Sequence, residues 1–259
     1  MRGGLVVLVL VAAPGVAHAG RNFYGWLSDT DVMPERGVEM QSWTYEQNHD
    51  KTDAGRSSTT WGAAPYIGIT DQLELDLPVE FEWFGKTGAG AGTTFTTYGA
   101  ELRYRLASND PENKPDFAPL VRVGAHRLIR TRDVMEFNAG FSGSYESGKF
   151  HALADVNFVG DVDFHDKTEA PGATMSDGST FDIRAGAGVS IEVIDDLRFG
   201  AEAFASIGLS DPPMGSEKTW VIAGPGASWT HGRFWLSGMF GIGLSNIGTA
   251  PRVQWGIAF

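Results

Sequence analysis

The chain contains no cysteine, which excludes a disulfide framework and any thiolate metal site. Beyond residues 5–13 it also lacks any continuous apolar run near the ~20 residues that a membrane helix requires. Helical spans are therefore excluded. Basic residues are in deficit, with 20 Lys and Arg against 32 Asp and Glu and a formal net charge of −12. Nucleic acid is not an expected partner, because its phosphates demand basic patches. Glycine and aromatics are plentiful by contrast: 34 Gly, 16 Phe and 8 Trp at a mean hydropathy of −0.14. A transmembrane β-barrel reconciles low hydropathy with many aromatics, because only every second residue of each strand meets lipid.

The N-terminus carries an export pattern. Arg2 precedes the apolar run 5–13, and Ala17-His18-Ala19 follows as a small-x-small cleavage site. Residues 1–19 are expected to be a secretory signal peptide, with the mature chain starting near Gly20. Residues 20–36 are irregular and aromatic, with Phe23, Tyr24 and Trp26. Two placements stay open for them, a periplasmic lead-in or a plug folded into a lumen.

From residue 37 onward the chain reads as about twelve strands, an even number as single-chain outer-membrane barrels have. They are expected at 37–48, 57–69, 72–84, 93–107, 118–129, 134–146, 149–162, 180–193, 197–209, 218–230, 233–244 and 250–259. The last shows the pattern most plainly. Val253, Trp255, Ile257 and Phe259 alternate with Arg252, Gln254, Gly256 and Ala258, so one face is apolar and the other polar or small. This tail resembles the terminal strand of bacterial outer-membrane barrels, which implies that Trp255, Ile257 and Phe259 form the signal read by the barrel-assembly machinery. Deleting Phe259, or replacing it with Asp, is expected to leave an exported but poorly inserted protein, visible as loss of heat-modifiable, protease-resistant barrel.

Connections alternate in length, as the periplasmic and extracellular sides of such barrels do. Tight turns are expected at 70–71, 147–148, 194–196 and 231–232, and a longer one with two prolines at 108–117. The opposite side carries 49–56, 85–92, 163–178, 210–217 and 245–248, rich in Gly, Asp and Ser, together with the tight 131–133.

The apolar face must meet lipid, so the polar face must meet the lumen. In 72–84, Leu73, Leu75, Leu77, Val79, Phe81 and Trp83 point outward, while Glu74, Asp76, Glu80 and Glu82 point inward. The same split places Glu101, Arg103 and Arg105 inside, with Arg122, Glu136 and Asp155 in the strands that follow. Asp182, Arg184, Arg198, Glu202, Arg233 and Arg252 complete the expected pore lining. Strands 37–48 and 218–230 give no facing by this rule, because Glu39, Gln41, Trp43 and Tyr45 share one face.

The second hairpin carries a family resemblance. Thr60-Trp61-Gly62, then Tyr66-Ile67-Gly68-Ile69-Thr70-Asp71-Gln72-Leu73-Glu74-Leu75, then Leu77-Pro78-Val79-Glu80 is similar to a hairpin of the meta-pathway phenol-degradation outer-membrane proteins. Ile67 stands here between Tyr66 and Gly68, which that pattern places side by side. The resemblance implies a barrel that passes small aromatic or hydrophobic compounds.

Catalytic and metal patterns are weaker than their structural counterparts. His126, His151 and His165 with Ser142 and Ser144 match no barrel-hydrolase spacing, and a triad is defined by geometry rather than order. Asp161, Asp163, His165 and Asp166 open the longest loop. They read as a solvated acidic segment, with Ca²⁺ as the alternative. Gly186-Ala187-Gly188 has neither the helix nor the lysine of a phosphate loop and reads as strand glycines giving room inside a barrel. No catalytic residue, metal or cofactor is expected. The expected function is a channel for small solutes in the bacterial outer membrane, with outer-membrane lipid around it. The alternatives are a closed structural or adhesive barrel and, third, a lipid hydrolase.

Overall fold

Period-two alternation produces thirteen antiparallel strands among the described residues. They are β1 (Val38–Gln47), β2 (Ser58–Gly68), β3 (Leu73–Asp76), β4 (Val79–Phe84), β5 (Gly92–Arg105), β6 (Phe117–Leu128), β7 (Val134–Ser147), β8 (Phe150–Asp163), β9 (Thr180–Ile194), β10 (Leu197–Gly208), β11 (Trp220–His231), β12 (Phe234–Ser245) and β13 (Thr249–Ala258). The computed structural model describes residues 22–48, 58–84, 92–108, 110, 115–129, 134–163, 180–209 and 219–259. The expected signal peptide, the connections at 49–56, 85–91, 131–133, 164–178 and 210–217, and with them His165 and Asp166, lie outside the described residues.

Successive strands pair, except that β3 and β4 each lie between β2 and β5 and not against one another, and β13 pairs with β1 from Glu39↔Ala258 to Tyr45↔Arg252. The sheet is thereby closed and has no free edge, which is the condition for crossing a membrane with strands. The Phe259 N–H donates to the Val38 carbonyl at 2.8 Å, extending the closing seam to the last residue.

Strands β3 and β4 correct the expectation of one unbroken strand over 72–84. Pro78 has no N–H to give to the ladder, and the strand pauses at Leu77-Pro78. The register nevertheless carries through, since Asp76 faces Tyr66 and Val79 faces Ala63 on β2. The two segments act as one stave, giving a twelve-strand barrel with one extra strand.

A second correction concerns Arg233. His231 pairs with Phe234, which leaves Gly232 and Arg233 as the two residues of the turn. Gly232 has φ of 59°, the left-handed conformation that two-residue hairpins favour. Arg233 therefore stands exposed at the rim and does not line the lumen.

Large apolar side chains cover the outside. Val123 is 55% exposed, Phe158 56%, Phe181 53% and Phe240 54%. Trp255, Ile257 and Phe259 also point outward. A belt of this extent on a monomer would not be stable against water; it is a lipid-facing surface. The buried cluster lies inside the barrel and is built in part from outside the strands, with Phe23, Tyr24, Trp26 and Leu27 packed against Leu153, Phe204, Trp220 and Ile222. Residues 22–34 thus occupy the lumen, entering it from the end that carries the tight turns, with Glu35 and Arg36 exposed at the rim.

Candidate functional site

The lumen segment is held by its own backbone as much as by its side chains. Glu202 on β10 accepts the Gly25 N–H at 2.6 Å and the Trp26 N–H at 3.0 Å. Both amides belong to an irregular bend that has no strand partner, so a carboxylate is what satisfies them. Ser237 donates to the Tyr24 carbonyl at 3.1 Å, and Gln254 donates to the same oxygen. Gly25 allows this approach, because a Cβ there would meet the Met239 Cβ at 2.8 Å. Gly186 and Gly188 do the same on β9, where added Cβ atoms would meet Leu27 and Tyr24 at 2.5 Å.

Further along, the segment is clamped by arginines. The Met33 N–H donates to Glu74 Oε2 at 2.6 Å, and Arg103 Nη1 donates to Glu74 Oε1 at 2.7 Å. Arg103 also donates to the Asp29 carbonyl, while Arg105 pairs with the Asp31 carboxylate and donates to the Thr30 carbonyl at 3.1 Å. Arg198 lies 4.4 Å from the Phe23 ring centroid, a cation–π contact within the usual range. Among the expected lining residues, Arg105, Arg198 and Glu202 are inward and packed on this segment.

Beside this segment the interior holds a cavity of about 670 Å³. It follows β1 from one end to the other, since Glu39, Gln41, Trp43, Tyr45 and Gln47 all line it. At about 3.3 Å per residue that is a path of roughly 26 Å measured along the strand. Eleven carboxylates line it among the described residues: Asp29, Asp31, Glu39, Glu74, Asp76 and Glu80, with Glu101, Glu136, Asp155, Asp161 and Asp182. Four arginines accompany them, namely Arg103, Arg122, Arg184 and Arg252. Glu82, one alternation beyond Glu80 on β4, shares the inward face nearer the loop end and is half-buried.

Several of these charges are paired locally. Arg122 Nη2 lies 2.9 Å from both oxygens of Asp155, whose Oδ1 also accepts from Ser142 at 2.8 Å. Glu136 bridges His126 and Arg184, at 3.2 Å to each. Ser142, Ser144, His126 and His151 are thus engaged separately, with Ser144 bonded to Thr30 at 2.5 Å and His151 to the Tyr24 hydroxyl at 3.0 Å.

Alternation puts Trp235 on the inward face of its strand, but it does not show the aromatic lining from β1 and β11. Trp43 donates from Nε1 to Glu80 at 2.9 Å, and Trp235, fully buried, donates to Glu39 at 3.0 Å. Trp26 packs on Tyr45, Phe204 and Trp220 with ring centroids 5.3–5.4 Å apart, and Arg252 lies over Trp26 at 5.3 Å. A signal for the inward tryptophans exists in the register. Trp43 faces Gly62 and Trp235 faces Gly256, where the missing side chains leave room for the indoles. It is visible only once the pairing is known.

No protein-family model matches the sequence, and no curated protein does. Solved structures do match. The chain is similar to an outer-membrane channel from Pseudomonas putida F1, at 13% identity over 90% of this chain and 99% of that one, with a TM-score of 0.59. It is similar to the NanC porin at 6% identity, 85% and 98% coverage and a TM-score of 0.55. The KdgM porin follows at 9% identity, 85% and 99% coverage and a TM-score of 0.52. At these identities the likeness is one of fold, and the fold is the outer-membrane β-barrel.

Proposed function

We propose that the chain is an outer-membrane channel that passes small solutes, cations before anions, through a lumen narrowed by its own residues 22–34. The carrying observation is the cavity that follows β1 from end to end with eleven carboxylates against four arginines on its wall. A cleft of one charge sign between low-dielectric walls concentrates counter-ions. Cations are the ions so concentrated. The fold supports the reading, since the similar structures are themselves described as channels and porins. The acidic lining favours charged or polar cargo over the hydrophobic compounds that the hairpin resemblance implies.

A planar-bilayer recording across a KCl gradient tests the proposal. A small conductance with a reversal potential on the cation side is expected. Glu80→Gln combined with Asp161→Asn should move that potential toward zero while the pore still conducts, because two lining charges are lost and neither side chain shrinks. A folded barrel that conducts nothing, or that prefers chloride, overturns the proposal. The first of those outcomes is what a closed structural barrel would give, a reading favoured by the packing of Trp26 against Phe204 and Trp220.

A further inference from the structure

Of the four arginines that line the cavity, three are held by carboxylates of the wall. Arg103 donates to Glu74 at 2.7 Å, Arg122 to Asp155 at 2.9 Å and Arg184 to Glu136 at 3.2 Å. Arg252 on β13 is held by rings instead. Its guanidinium lies 5.3 Å from the Trp26 ring centroid and 5.5 Å from that of Tyr45, and among the described residues it donates no hydrogen bond and forms no ion pair. Its Nε is enclosed, but its two terminal nitrogens keep open surface on the cavity. Glu80 on β4 has a similar vacancy. Its Oε1 accepts the Trp43 indole N–H at 2.9 Å, while its Oε2 is neither bonded nor enclosed among the described residues.

The backbones of Arg252 and Glu80 stand three strand spacings apart, about 14 Å, with β1 and β2 between them. Both side chains close most of that gap. Arg252 lies against the Tyr45 ring, Glu80 meets Trp43 two residues away on the same face of β1, and the Tyr45 hydroxyl stands in the field of both charges. Arg252 and Glu80 nevertheless act on one another through the field alone, without an ion pair. Glu202, the other carboxylate in whose field Arg252 lies, accepts the Gly25 and Trp26 amides at 2.6 and 3.0 Å. An unbonded guanidinium edge and an unbonded carboxylate oxygen are thus left beside one ring.

We propose that Arg252 and Glu80 form a binding site for a small zwitterion of the amino-acid class, its carboxylate on the terminal N–H groups of Arg252 and its ammonium on Oε2 of Glu80. The inference deepens the channel reading and rests on it for how the ligand arrives. A guanidinium presents N–H donors in a fixed plane that matches the two oxygens of a carboxylate. Trp26 and Tyr45 already hold that group in place, so less side-chain freedom is lost when a ligand binds. An anion alone would enter a space lined by eleven carboxylates. A cation alone would leave Arg252 without an acceptor. A molecule with both charges satisfies both groups and adds no net charge to the lumen.

Isothermal titration of the detergent-folded full-length barrel with γ-aminobutyrate, glycine, butyrate and butylammonium tests the site. The first two are zwitterions of longer and shorter charge separation, and the last two each keep one charge on a chain like that of γ-aminobutyrate. Saturable binding of at least one zwitterion is expected, about tenfold tighter than either singly charged compound. Arg252→Gln and Glu80→Gln should each weaken it about tenfold. Heat-modifiable mobility on gels establishes that each variant is folded; if Arg252→Gln is not, Glu80→Gln decides alone, since its amide oxygen still accepts from Trp43. The site is overturned by any of three results: no saturable heat with either zwitterion, butyrate or butylammonium binding as tightly as the better zwitterion, or unchanged affinity in a folded variant. Absence of potassium current in bilayers would count against the channel reading only, because calorimetry needs no transport.

Discussion

Removal of residues 22–33 will raise the single-channel conductance several-fold. Among the described residues this segment is the body in the lumen that is not part of the wall, and it contributes Phe23, Tyr24, Trp26 and Leu27 to the buried cluster. Twelve-strand barrels lie between the ~8-strand barrels filled by side chains and the 16-strand porins that hold water. The difference between a filled and an open interior at this size therefore rests on such a segment. Its loss would expose Glu202, Glu74 and Arg103, all now bonded to it, to the aqueous path. The added carboxylates should also sharpen the preference for cations. Glu202→Ala is the milder probe, since two amide N–H groups at 2.6 and 3.0 Å lose their acceptor while the segment's apolar contacts stay. Each unsatisfied amide costs about 1–3 kcal/mol, enough to loosen the bend and produce flickering openings. Unchanged conductance after the deletion would mean that solutes do not pass along the space this segment narrows.

The second large effect will come from adjacent residues that point opposite ways. Val123 on β6 faces lipid, and Val123→Arg should destabilise the barrel by about 2–4 kcal/mol if it lies near the bilayer midplane. Arg122, its neighbour, faces the lumen at 6% exposure and shares two hydrogen bonds with Asp155, itself 7% exposed. Arg122→Leu removes one partner of a buried ion pair and leaves the other charge uncompensated, which costs about 3–5 kcal/mol. Both figures can be read from urea unfolding of the barrel in lipid vesicles, followed by tryptophan fluorescence. Asp155→Asn in the Arg122→Leu background should restore part of the loss, because it removes the stranded charge. A cost below about 1 kcal/mol for Arg122→Leu would show that the pair behaves as a solvated surface pair. The interior at that level would then be wet rather than packed.

The sequence by itself determined the strands, their approximate ends and the facing of most of them, because alternation is a local property: each residue's side follows from its immediate neighbours. It determined the outward facing of Leu77 and Trp83, and the acidic inward set from Glu74 to Glu82. It also gave the closing stave, with Val253, Trp255 and Ile257 on one side. Where alternation failed, in β1 and β11, tryptophan and tyrosine point inward instead of to lipid, and only the register shows why. Trp43 sits over Gly62, and its indole N–H finds Glu80 on a strand that pairs with β2 rather than β1. The one-residue displacement of Arg233 into a turn depended likewise on which residue closed the hairpin. Above all, only the tertiary structure brings residues 22–34 against the strands, since nothing local tells an irregular aromatic segment that Glu202, some 177 residues away, will accept its amides. The same closure decided which carboxylates are answered by arginine and which, like Asp76 and Glu101, face one another. Charge partners across a lumen are set by strand order and register, and neither is written in the spacing of residues along one strand.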